Sequence, residues 1–171
     1  PVDKIENTEK NNNERKVISF KELYHRIYSG KATLEQVKLA LTTKNSTKLI
    51  NVVHALYAMR WHAGVYNLLY KMWERESTEN PNINWELIKK PPVRIALAST
   101  INRIDMLKSK DIREYIRSFK YDEDELNRGQ VLVALGLNGD PADVPYLEEM
   151  ADSDNRYLTQ IGISSLAFME N

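Results

Sequence analysis

The chain has 171 residues, 42% of them hydrophobic and 28% charged, with six glycines and six prolines. That composition excludes a collagenous or largely disordered protein and fits one domain or one short repeat array. With no cysteine, disulfides, thiolate metal sites and cysteine nucleophiles are excluded as well. The net charge is zero, yet residues 1–120 carry 22 basic and 13 acidic side chains while residues 121–171 carry 2 and 11. In a compact fold those charges interleave, and in an elongated one they form two territories.

Residues 1–14, PVDKIENTEKNNNE, lack a hydrophobic period and are expected to form a mobile N-terminal arm, leaving residues 15–171 as a single helical domain. A cytoplasmic setting is the expectation, and because the sequence opens on Pro1 rather than Met a removed signal peptide stays open. No stretch approaches the roughly 18 consecutive apolar residues of a membrane span.

From Ser19 onward apolar residues recur at three- and four-residue spacing, which predicts helices and no strands. The expected helices cover 19–29, 33–43, 46–60, 62–76, 92–104, 108–119, 123–136, 141–151 and 154–169, with a break at Asn80–Pro81–Asn82 and a short turn at 84–89. Ser19 with Glu22, Thr33 with Gln36, and Asp122 with Glu125 have the spacing of capping boxes. Gly136 and Gly139 suit a chain reversal, after which Asp140 suits an N-cap and Pro141 the first helical position. The 62–76 segment is apolar on two sides, with Val65, Leu68, Leu69 and Met72 on one and Tyr66, Tyr70 and Trp73 on the other, so it needs two sets of neighbours.

RIALASTI at 94–101 aligns with RGQVLVAL at 128–135 at a spacing of 34, and a looser copy, TQIGISSL at 159–166, follows 31 residues later. Amphipathic helices at 108–119 and 141–151 separate the copies, so each period contains two helices. With the turn Gly139–Asp140 and the Asp143–Val144–Pro145 helix start, and with Ala134 and Leu135 before Gly136, residues 92–169 resemble a HEAT-like repeat protein. The resemblance implies an all-α, short HEAT-like α-solenoid of about four helix pairs with an N-terminal capping helix. Neighbouring helices about 8–10 Å apart would give an array roughly 40 Å long, several Debye lengths, so that its basic and acidic territories do not cancel.

In such an array Arg94, Arg128 and Arg156 fall near the starts of successive second helices, where they either grip carboxylates and phosphates or pair with inter-repeat aspartates. The acidic block from Asp122 to Glu125 and from Asp140 to Asp154, with Asp124, Glu148 and Glu149 as its candidate contact residues, suits a basic protein partner. Trp61, Trp73, Trp85, Tyr57, Tyr66 and Tyr70 form an aromatic concentration that is either core or a binding surface, and Trp85 is the one expected to be exposed. His25, His54 and His62 have no metal-ligand spacing, GISSL at 162–166 is not a nucleophile motif, and neither glycine pair cradles phosphate.

No metal, cofactor or catalytic residue is therefore indicated. The leading expectation is a non-enzymatic protein-binding module that uses its concave and acidic C-terminal surfaces, such as an immunity- or inhibitor-type protein or a scaffold. The alternative is a nucleic-acid-binding, glycosylase-like HEAT protein, resting on the basic first 120 residues, the tryptophans and Asp105 as a carboxylate for catalysis. Self-assembly of a basic end on an acidic end is a third reading.

Overall fold

A computed structural model of the chain describes residues 18–74, 82–105 and 110–170. The expected arm at 1–14 and the break at Asn80 and Pro81 lie outside the described residues. The described residues form ten α-helices and no strand: α1 (Phe20–Tyr28), α2 (Leu34–Ala40), α3 (Ser46–Ala55), α4 (Ala63–Glu74), α5 (Trp85–Ile88), α6 (Pro91–Ile104), α7 (Lys110–Arg117), α8 (Glu125–Asn138), α9 (Val144–Ala151) and α10 (Arg156–Met169). Short 3₁₀ turns extend α3 over Leu56–Met59 and precede α9 over Pro141–Asp143. No helix among these residues is long and apolar enough to cross a membrane.

Local chemistry sets the helix ends. The Ser19 hydroxyl accepts from the Glu22 amide, and Thr33 with Gln36 forms a complete capping box. The expected Asp122 cap is displaced by two residues: Asp124 caps α8 through the Leu126 amide, while Asp122 accepts from the Asp124 amide and the Asn127 side chain. An aspartate at either position can reach an orphan amide, and the one whose neighbour is already turning wins. Gly139 ends α8 at φ 69°, as a left-handed C-cap requires. Gly136, by contrast, takes no part in the reversal and sits inside α8.

Packing follows from the buried stripes. α3, α6, α8 and α10 lie side by side in that order, each packed mainly on the next, with α1 against α3 at the start of the row. α2, α4, α7 and α9 lie outside it: α4 and α7 pack on α6, α7 also on α8, and α9 on α10. Buried apolar side chains run through the whole row, from Ile27 and Leu49 through Ile95 and Leu97 to Leu132 and Leu158. The second face of α4 is covered as its pattern demands, since Trp73 stacks edge-on against Tyr115 of α7 and the Tyr66 and Tyr70 hydroxyls donate to Asp105 at the end of α6.

Polar stitches fix the order of the row. The buried Thr100 hydroxyl of α6 lies 3.1 Å from the Val53 carbonyl of α3, and Ser165 of α10 donates to the Leu132 carbonyl of α8 at 2.8 Å. Between them, Asn138 of α8 donates to Ser99 of α6 and accepts from Asn102. Each such group, if left unpaired in the interior, costs about 1–3 kcal/mol.

Close approach completes the packing. A Cβ at Gly136 would stand 2.7 Å from the Ser165 Cβ, and one at Gly162 would stand 2.8 Å from the Ala151 amide nitrogen. Gly136→Ala should therefore destabilise the protein by about 1–3 kcal/mol in urea unfolding through overpacking of α8 on α10. Gly139→Ala, where open space surrounds the position, should lose only about 1 kcal/mol from the positive φ. The reverse order would contradict this packing.

Candidate functional site

Because α8 and α10 run in the same direction, their starts and ends form two separate edges. At the first edge, the side chain of Asn155, before α10, donates to Glu125 at the start of α8. Tyr121 donates to Glu149 near the end of α9 at 3.0 Å, and its ring stands edge-on to Tyr146. The exposed acids Glu123, Asp124, Glu125, Glu148, Glu149, Asp152 and Asp154 gather there, and none forms an ion pair among the described residues. Among them Tyr121, Leu126 and Tyr157 are 68%, 60% and 39% exposed. The hydrogen bond to Glu149 and the charge of that residue push the Tyr121 hydroxyl above its ordinary range; burial, aided by Glu125 and Asp124, does the same to Tyr157.

The three arginines of the expected ladder have three different environments. Arg94 is buried, with its guanidinium 4.0 Å from the centre of the Trp73 ring and an Nη donating to the Trp73 carbonyl at 2.9 Å. Arg128 is half-buried and directs an Nη toward the Met150 sulfur at 3.5 Å. Arg156 is exposed beside the acidic edge. Only Arg156 is placed on the surface that carries Asp124, Glu148 and Glu149. Trp85 is half-buried against the core, whereas Trp61 is the exposed tryptophan, at 84%. The indole of Trp85 follows the apolar side of the α5 turn, while that of Trp61 lies past the end of the α3 extension, where no helix covers it.

The arginine that does pair with aspartates of the turn between α8 and α9 is Arg117 at the end of α7. It donates to both carboxylate oxygens of Asp143 at 3.0 and 2.8 Å and to Asp140 at 2.8 Å. Lys120 approaches the same Asp143, which is 2% exposed. The Ala142 amide and Arg117 hold the Asp140 carboxyl below its usual range. Asp140 and Asp143 are thus engaged in joining α7 to the turn before α9, and the acidic surface available to a partner is correspondingly smaller than the sequence count. Arg117→Met should leave the buried Asp143 with only the longer contact to Lys120 and cost about 2–3 kcal/mol in denaturant unfolding; a loss below about 1 kcal/mol would contradict that role.

The second edge was not legible in the sequence. A cavity of about 380 Å³ is lined by Tyr24 and Tyr28 of α1, Asn51, His54 and Ala55 of α3, Tyr57 and Ala58, Arg103 of α6, Leu137 of α8 and Phe168 of α10. Most of these are within two residues of a helix C-terminus. The first and last helices of the row therefore meet one concavity, and the row bends around it. Both Arg60 and Arg103 lie over the Tyr57 ring, at 4.3 and 3.7 Å from its centre. A second pocket, of about 310 Å³ and mainly apolar, adjoins it between α8 and α10 and shares Leu137 and Phe168.

His54 lies in this wall with both ring nitrogens buried and without a well-formed hydrogen bond. Burial lowers its pKa to about 4, with Arg103 acting in the same direction and the neighbouring Gln130 side chain opposing it. The folded protein keeps His54 neutral where an unfolded chain, at about 6.5, is already protonated, so stability falls as pH drops from about 6.5 toward 4. Unfolding free energy should decline by up to about 1.4 kcal/mol per pH unit between pH 6 and 5, and His54→Leu should flatten that slope. An unchanged slope would mean that His54 is solvated.

Asp105 accepts from the Tyr66 and Tyr70 hydroxyls at 3.1 and 3.4 Å and so ties α4 to α6. Several cations of the basic half are paired locally, Arg26 with Glu22, Lys38 with Glu35 and Lys89 with Glu86, which interrupts a phosphate-binding face. Comparison with protein-family models, curated proteins and solved structures gave no match.

Proposed function

We propose that the protein is a non-enzymatic, HEAT-like repeat module that binds another protein, with the acidic edge as the surface for a basic partner. Helix pairing supports the repeat reading. In that reading α1 is a cap, and the packing of α4 on α6, α7 on α8 and α9 on α10 supports three pairs whose second members lie in the row, while α2 packs on α1 and α4. Those second helices have 14 residues each and begin 34 and 31 residues apart.

The observation that carries the binding proposal is the setting of Tyr121, Leu126 and Tyr157 as exposed groups among carboxylates that form no ion pair among the described residues. Protein interfaces are built this way, with a few large anchors that lose water on contact and a charged rim that steers the partner. A basic nuclease or toxin inhibited by burial of its active site, or a basic subunit held on a scaffold, presents the matching charge. Affinity purification from the source lysate should recover a basic protein whose retention falls steeply between about 50 and 200 mM salt. Combined Glu148→Lys and Glu149→Lys changes should weaken it at least roughly tenfold. Retention that ignores both salt and the charge reversal would remove the acidic edge from the proposal.

A further inference from the structure

At the edge opposite the carboxylates, the cavity is lined by the guanidinium of Arg103, and Arg60 lies on the same Tyr57 ring; neither arginine has a carboxylate partner among the described residues. Elsewhere in the same protein Arg26 and Arg117 are both paired. We propose that this cavity is a second binding site, which takes a short acidic peptide segment of a protein partner: a carboxylate on Arg103, with the charge of Arg60 beside it, and an adjacent large apolar side chain in the pocket between α8 and α10.

The charge argument begins with the two arginines. Burial lowers the Arg103 pKa, and the charge of Arg60 adds to that effect, so an incoming anion relieves an unfavourable pair of like charges. Planar guanidinium groups stacked on an aromatic ring keep their edges free for two-pronged hydrogen bonds to a carboxylate. Arg60 already spends one Nη on the Tyr57 carbonyl at 3.0 Å, which fixes its orientation before a ligand arrives.

The helix termini select the class of ligand. The C-terminal turns of α1, α3, α6, α8 and α10 supply Tyr28, Ala55, Arg103, Leu137 and Phe168 to this cavity. Helix C-termini carry partial negative charge and carbonyl groups in search of donors. A peptide offers backbone N–H groups to those carbonyls along with its carboxylate. The same partial charge opposes any anion, so a peptide with a single carboxylate on the arginine and N–H donors for the carbonyls is favoured over a phosphodiester chain, which carries a charge at every residue and no backbone donor.

The apolar half of the site is equally defined. Val133, Leu137, Ile161 and Phe168 line the adjoining pocket, and Phe168 is 51% exposed, standing where the two cavities meet. Volumes of about 380 and 310 Å³ lie at the lower end of ordinary ligand sites, at roughly 300–1,000 Å³. They suit a few residues of an extended segment and are too small for a docked helix.

The test is selection of a displayed library of random peptides of about twelve residues, an extended reach of about 40 Å, on the full chain. Enriched peptides should place Glu or Asp within two or three positions of Phe, Leu or Met. Their synthetic forms should bind roughly tenfold more weakly to Arg103→Gln, and to Phe168→Ser, whose exposed position leaves folding intact. The Glu148→Lys and Glu149→Lys protein should bind them unchanged, which separates this site from the acidic edge. Enriched sequences without a carboxylate, or affinities indifferent to both Arg103→Gln and Phe168→Ser, would overturn the proposal. Tighter binding of a single-stranded oligonucleotide, abolished by Arg103→Gln, would overturn it in favour of nucleic acid. Concentration-dependent self-association lost in both Arg103→Gln and Glu149→Lys would assign the groove to a second copy of this chain.

Discussion

The parallel contact between α8 and α10 is the constraint on which the remaining structure depends. It is possible because Gly129 and Gly136 offer no side chain where Tyr157 and Ser165 approach, and it is fixed by the Ser165 hydroxyl on the Leu132 carbonyl. Once the two helices run side by side in the same direction, their starts must share one edge and their ends another. α3 and α6 extend that order through Thr100 and the Asn138 group. A helix of 14 residues is about 21 Å long, so whatever chemistry the sequence places at the starts is held well away from what it places at the ends.

That geometry changes what the uneven charge means. Read along the chain, acids belong to the last 51 residues and bases to the first 120. In the fold the division runs across the helices as much as along the row: carboxylates collect at the starts of α8 and α10, and Arg60 and Arg103, without an ion pair among the described residues, lie at the C-terminal side of α3 and α6. The bend that brings α1 and α10 to one cavity shortens the straight array of roughly 40 Å that pair stacking suggests. Helix direction therefore contributes to the separation of the charges, alongside elongation. The separation is about two Debye lengths at physiological salt, enough for each edge to act on its own surroundings.

Periodicity and capping residues made the helices legible, because both are local. Thr33 with Gln36 and Asp140 before Pro141 act where the chain places them. What escaped sequence reading depends on distance in space. Arg117 belongs to the amphipathic segment at 108–119, whose pattern carries no partner for it, and its pairing with Asp143 is set by how α7 meets a turn 26 residues later. Gly136 read as a turn residue, and its role as a contact point appears only when α10 is beside it. Arg60 and Arg103 have no shared motif, since they come from different helices and meet on Tyr57. Trp61 and Trp85 exchanged exposure for a related reason: proline- and asparagine-rich flanks describe the chain around an indole and say nothing of the core beneath it. Of the candidate contact residues, Asp124, Glu148, Glu149 and Arg156 share one edge, while Arg94 and Trp85 are turned into the structure.

The absence of cysteine permits the most direct measurement of the curved parallel row, by pulsed electron spin resonance between nitroxide labels on introduced cysteine pairs. Labels replacing Tyr28 and Phe168, on the first and last helices of the row, should give a narrow distance distribution centred below about 25 Å. Labels replacing Leu126 and Phe168, at opposite ends of the adjacent α8 and α10, should lie about 22 Å apart, from about 20 Å along the axis and about 9 Å between axes. A Tyr28 to Phe168 distance above about 35 Å, as four steps in a straight stack would give, would contradict a row bent around a common groove.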